Sequence, residues 1–148
     1  MRPSPALSTS RTGVTLVELC LVLTLVGILA SIATRQITRY LDRTAARAAV
    51  AEAATVMLRA RDEAMAQRTP VSVRIDTVAA ALELSARGVV LSRAALGHAH
   101  GVSLSTTRDS LTYDVRGLGY GAANLTMVAR RGAAVESLVV SRLGRVRW

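Results

Sequence analysis

Glu18 is the single charged side chain in an apolar run, residues 14–33, and it is the fifth residue of any chain that begins at Val14. A carboxylate placed there can do two things. Thr15-Leu16-Val17-Glu18 fits the S/T-x-x-E capping box, in which Thr15 and Glu18 satisfy orphan backbone donors at a helix start. Cutting after Gly13 would also create a new ammonium on Val14, close to Glu18 and able to pair with the same carboxylate of a neighbouring subunit. An acid at a bilayer centre costs about 2.5 to 3.5 kcal/mol on insertion scales, and a place near the start of the segment, at the positive end of the helix dipole, lowers that cost.

At the other end of the chain stand Gly144, Arg145, Val146 and Arg147. If residues 145–147 are extended, Arg145 and Arg147 share one face about 6.6 Å apart, while Val146 and Trp148 face the other way. Two guanidinium forks so arranged grip successive phosphates. The competing reading is a solvated strand face. Arg130 and Arg131, beside Gly132, offer a third and fourth contact.

Other candidates are weaker. His98 and His100 form a His-Ala-His unit without a neighbouring acid or thiolate, so a loop is expected there and no metal. Gly117, Gly119 and Gly121 mimic a phosphate loop, but the lysine of such loops and the following helix are missing, and a turn between strands is expected. No nucleophile stands with a base, so neither an enzyme nor a cofactor is expected.

These residues need elements to position them. Twenty apolar residues at about 1.5 Å each make a helix of roughly 30 Å, the hydrocarbon thickness of a bilayer. The run continues without a breaker to Arg68, with Ile37, Leu41, Ala45, Ala48, Val56, Leu58 and many other alanines recurring at helical spacing, the alanines small enough to let a sheet pack close, and Pro70 ends it. Arg35 and Arg39 reach lipid headgroups by snorkelling, and a solvated face is expected for Arg43 and Arg47, with acids on adjacent subunits as the alternative partners. Gly27 is a weak point or a close-packing position in the span. After Pro70 the period becomes two: Val71, Val73 and Ile75; Leu82 and Leu84; Val102 and Leu104; Leu111, Tyr113 and Val115; Leu125 and Met127. A sheet with one apolar face needs a cover, and the amphipathic helix half supplies it.

Composition narrows the class. A chain of 148 residues with one span leaves a single small domain, and the lone cysteine, Cys20, allows no internal disulfide. All 19 basic residues are arginine against 10 acids, giving a formal charge of +9, which suits anionic partners; removing residues 1–13 lowers it by two, through Arg2 and Arg11. All-arginine usage is equally a mark of codon bias.

The Gly13-Val14-Thr15-Leu16-Val17-Glu18-Leu19 string followed by an apolar run resembles the class III signal of type IV pilins and type II secretion pseudopilins. The carboxy-terminal features, a glycine after a strand at Gly117, a basic hairpin at Arg130 and Arg131, and the terminal Gly144-Arg145-Val146-Arg147, are similar to the GspH/FimT branch of that superfamily. The resemblance implies an α+β, type IV pilin-like fold: a leader at 1–13, the membrane-spanning half of a long helix at 14–33, its amphipathic half at 34–69, and a small antiparallel β domain at 70–148. It implies cleavage between Gly13 and Val14 by a prepilin peptidase, methylation of Val14, and an assembly role for Glu18. Phenylalanine is usual at the position of Val14.

The partners implied are other pseudopilins or pilins, an inner-membrane assembly platform with its ATPase, membrane lipid and, in one group, DNA. The implied location is the bacterial inner membrane, single-pass, with the carboxy-terminal domain in the periplasm. Counting Arg35, Arg39, Arg43 and Arg47 against Arg2 and Arg11 points to the opposite orientation, and the resemblance is followed here. A secretory signal cut after Ser31-Ile32-Ala33 fits less well, because twenty residues exceed an ordinary apolar core of about 7 to 15 and Glu18 interrupts it. The expected function is a minor pseudopilin of the type II secretion system, with a DNA-capturing minor pilin as the alternative.

Overall fold

The computed structural model describes residues 13–120 and 124–148. Leader residues 1–12, with Arg2 and Arg11, and Gly121 of the glycine run lie outside the described residues. The chain forms two compact units, one reaching Ile37 and the other Thr38–Trp148.

The order of elements is α1 (Leu16–Gln67), β1 (Val71–Asp76), β2 (Ala81–Ala86), β3 (Val89–Ala94), α2 (Leu96–His100), β4 (Ser103–Thr106), β5 (Ser110–Tyr113), β6 (Gly119–Tyr120), β7 (Leu125–Arg131), β8 (Ala134–Val140) and β9 (Val146–Arg147). In the first unit, α1 is long and apolar enough to cross a membrane, with a mean hydropathy of 2.5 over its most apolar 18-residue window. None of that window is covered by protein. Gly27 lies within unbroken helix, with open space where a side chain would project.

In the second unit, α1 buries Ala46, Ala49, Val50, Ala53, Ala54, Met57, Ala60 and Ala64, a stripe at steps of three and four. This is not the face expected from the large side chains. Leu41 and Leu58 are exposed, as is Ile37 in the first unit, and Ala48 faces solvent too. The physical reason is size. Alanine lets the strands approach the helix axis closely, as its small size implies, and Val50 and Met57 are buried in the same stripe.

Helix α1 ends at Gln67, with Arg68 in the left-handed region and the Thr69 amide donating to the Ala64 carbonyl, before Pro70. Two antiparallel sheets follow where one was expected. Their strand orders are β3-β2-β1-β5-β6 and β4-β7-β8-β9. Both contribute to a single core with the helix stripe: Val71, Val73, Leu82, Leu84 and Tyr113 from the first sheet, and Leu104, Leu125, Met127, Leu138 and Val140 from the second. At about 1.5 to 3 kcal/mol for each large buried side chain, these residues supply most of the driving force for folding.

Two of the turns are built by aspartates. Asp76 Oδ1 accepts the Val78 and Ala79 amides at 2.9 Å each, and these bonds, Ala79's foremost, hold its carboxyl below the usual range despite some opposing desolvation. Asp114 Oδ1 likewise accepts the Arg116 and Leu118 amides, at 2.8 and 2.9 Å. That second turn corrects one expectation: Val115, placed by alternation on a buried strand face, lies in the turn and is exposed. The aspartate's local bonds end β5 at Tyr113.

Candidate functional site

Two groups of residues could act on something outside the chain. The first is the amino-terminal junction. Gly13 and Val14 precede α1 and are exposed, and Thr15 Oγ1 accepts the Glu18 amide at 3.2 Å, which is half of the capping box. Glu18 therefore sits in the first helical turn with its side chain in the open. Aligned peptide dipoles there favour negative charge.

The second group is the carboxy-terminal hairpin. Its turn is closed by the Ser141 amide donating to the Arg145 carbonyl at 2.9 Å, the Gly144 amide donating to the Ser141 carbonyl at 2.9 Å, and the Arg145 amide donating to Ser141 Oγ at 3.2 Å. Strand β9 pairs Val146 with Val140 and Arg147 with Val139. Val140 is fully buried and Val146 packs against the core, so the alternation of the strand turns Arg145 and Arg147 outward. Together with Asn124, Val139, Ser141 and Leu143, both arginines line one open concavity of about 340 Å³. Trp148 is exposed rather than packed.

This hairpin rests on Gly117, Gly144 and Tyr113, all marked in the sequence, and on Arg61, for which the sequence offers no signal. Gly117 and Gly144, both with φ above +70°, lie over Arg61 and Tyr113: a Cβ on Gly117 would come within 3.0 Å of Arg61 Nε, and one on Gly144 within 3.4 Å. The Gly119 amide donates to the Arg142 carbonyl at 3.1 Å, tying β6 of one sheet to the turn of the other. Beneath them the Tyr113 hydroxyl and Arg61 Nε are buried without a partner among the described residues. Burial pushes the Tyr113 hydroxyl up to about 12, with the nearby Arg61 guanidinium opposing the rise.

Arg130 and Arg131 end β7 and separate to opposite faces. Arg130 is exposed. Arg131 is turned into the domain, where its Nε lies 3.2 Å from Asp42 Oδ1 and its Nη1 donates to the His100 carbonyl at 2.6 Å. His100, in the short helix α2, does have an acid beside it: Glu52 of α1, at 2.7 Å. Arg47 keeps the solvated face expected of it, its side chain 73% exposed, and meets an acid of its own chain, Glu136, at 3.0 Å. Among the described residues no group of three or more His, Cys, Asp or Glu side chains is placed to hold a metal ion.

Comparison with solved structures decides the fold. The chain superposes on the type IV minor pilin FimU of Pseudomonas aeruginosa with a TM-score of 0.62 at 18% identity, covering 73% of this chain and 90% of that one. It superposes on the minor pseudopilin EpsH from the type 2 secretion system of Vibrio cholerae with a TM-score of 0.55 at 16% identity, covering 69% and 94%. The fold is type IV pilin-like.

No protein-family model and no curated protein matches the sequence. Within the pilin-like fold, the contacts Asp42–Arg131, Arg47–Glu136 and Glu52–His100 are polar clips between the helix and what packs on it. Sequence reading missed their acids because the partners stand 48 to 89 residues away.

Proposed function

We propose that the chain is a minor pseudopilin of the GspH kind, a structural subunit of the type II protein secretion system. It is cleaved between Gly13 and Val14 by a prepilin peptidase and methylated on Val14. It waits in the inner membrane as a single-pass protein, residues 14–33 in lipid and the carboxy-terminal domain in the periplasm. An assembly platform then draws it into a short filament with other pseudopilins.

The observation that carries this reading is the placement of Glu18. With Thr15 capping α1, a chain begun at Val14 puts a new ammonium one residue before the cap and the carboxylate within the first turn. Both ends of a subunit-to-subunit ion pair are then presented together, on a helix long enough to span the bilayer. Mass spectrometry of the protein from cells containing the peptidase tests it: a mature chain starting at methylated Val14 is expected, and a retained leader or a start at Thr34 overturns it.

A second reading, a FimT-like minor pilin that captures DNA, is supported by Arg145 and Arg147 lining one concavity. Arg130 is a further surface cation on that reading, whereas Arg131 is already engaged by Asp42.

A further inference from the structure

Arg39 and Arg43 stand one helical turn apart in α1, and with Asp42, Ala133 and Ala134 they line a cleft of about 200 Å³. Asp42 is the one acid in this cleft, and one of its oxygens is already engaged. One oxygen faces Arg131 Nε at 3.2 Å, and the other lies so close beneath Gly132 that any side chain there would collide with it. Arg39 and Arg43 are both exposed, and among the described residues no carboxylate forms a salt bridge with either. The β7–β8 turn contributes only the small side chains Ala133 and Ala134 to the lining of this cleft.

We propose that this cleft binds the phosphate of an anionic phospholipid headgroup. The inference rests on the membrane anchoring put forward above. Two guanidinium forks one turn apart match the tetrahedral oxygens of a phosphate ester, and Arg is the side chain suited to bidentate contact with it. The covalent chain restricts the source. Arg39 follows the end of the apolar run, Ala33, by six residues, so the tether alone keeps it within about 20 Å of the hydrocarbon edge, a reach that includes the headgroup layer. An anionic surface attracts each nearby arginine by about fivefold in binding, so a paired site selects anionic over zwitterionic lipid.

The site would fix the domain against the membrane surface through the β7–β8 hairpin before the subunit is extracted. This extends beyond simple snorkelling of single arginines, because the cleft has a shape and a second wall.

The test uses the full chain in neutral detergent micelles, titrated in separate arms with phosphatidylglycerol, phosphatidylcholine and inorganic phosphate, with retained ligand counted by native mass spectrometry. Retention of one phosphatidylglycerol is expected, weakened about tenfold or more by the Arg39→Gln/Arg43→Gln double variant. Ala133→Leu, which crowds the exposed turn without changing charge, should weaken it as well and so separates a cleft from diffuse surface attraction. Unchanged retention in the double variant or in Ala133→Leu, or equal retention of phosphatidylcholine, overturns the proposal. Saturable binding of inorganic phosphate that displaces the lipid overturns its assignment to a headgroup. Anchoring itself is read separately, by recovery of the chain only in the detergent-extracted membrane fraction.

Discussion

The Arg131 guanidinium lies 3.2 Å from the Asp42 carboxylate, although 89 residues separate the two in the chain. This contact fastens the β7–β8 hairpin to helix α1. The Asp42 side chain retains only 18% of its exposure and Arg131 39%, so solvent screens the pair partially and its net worth is modest. Arg131→Met keeps the apolar stem and removes both the ion pair and the bond to the His100 carbonyl. A loss of about 1 to 2 kcal/mol is expected, read as a lower urea midpoint with an unchanged slope.

Gly144 is expected to tolerate no side chain. Its φ is +72°, and a Cβ would stand 2.6 Å from the Gly117 carbonyl oxygen, a backbone atom with nowhere to move. Gly144→Ala should destabilise the domain by about 1 to 3 kcal/mol and raise amide exchange in the hairpin that carries Arg145 and Arg147. Exchange confined to β3, far from this hairpin in the sheet order, would contradict the packing described.

Tyr113 carries a buried hydroxyl without a partner among the described residues, a feature that disfavours the folded state. Tyr113→Phe is therefore expected to be neutral or stabilising by up to about 1 kcal/mol. The pH dependence follows from the sign of the shift. Burial raises the folded pKa from 10 to about 12, so this group's contribution is fully present below pH 10 and is lost as the pH climbs through about 12. Alkaline unfolding of the Phe variant, followed by circular dichroism, should lack that component.

Replacing Glu18 by alanine should leave cleavage after Gly13 intact and abolish incorporation into a filament. The capping bond survives, because it uses the Thr15 hydroxyl and the backbone amide of residue 18. Helix formation is thus not at issue. Co-purification of the variant with its neighbouring subunits at the native level would refute the assembly role.

Arg145 and Arg147 separate the two functional readings. On the DNA-capture reading, Arg145→Gln/Arg147→Gln flattens the salt dependence of duplex binding by about 0.9 log units for each lost phosphate contact. Protein secretion by the double variant at the normal level, with DNA binding lost, would favour the pilin alternative. An unchanged slope removes the pair from any phosphate-binding role.

The long helix and the two-residue period after Pro70 were legible in the sequence because both are local. A breaker-free run fixes a helix, and Val71, Val73 and Ile75 alternate whatever they pack against. Strand β3 was not legible, since Val89, Val90 and Leu91 form a continuous apolar triplet that the fold leaves exposed at a sheet edge. The alanines of α1 were legible as a close-packing face, but alanine gives little hydropathy contrast, so the sequence did not separate the buried Ala49, Ala53 and Ala60 from the exposed Ile37, Leu41 and Leu58.

By itself the sequence determined the membrane-length segment, the position of Glu18 relative to Gly13, and the one-face placement of Arg145 and Arg147, since each depends only on the rise and period of a single element. Only the tertiary structure decided which cations are spoken for. Arg131 and Arg47 meet Asp42 and Glu136, whereas Arg39, Arg43, Arg145 and Arg147 line clefts open to solvent. Charge pairing acts through space, and residues 89 apart become neighbours only once two sheets have closed on one helix.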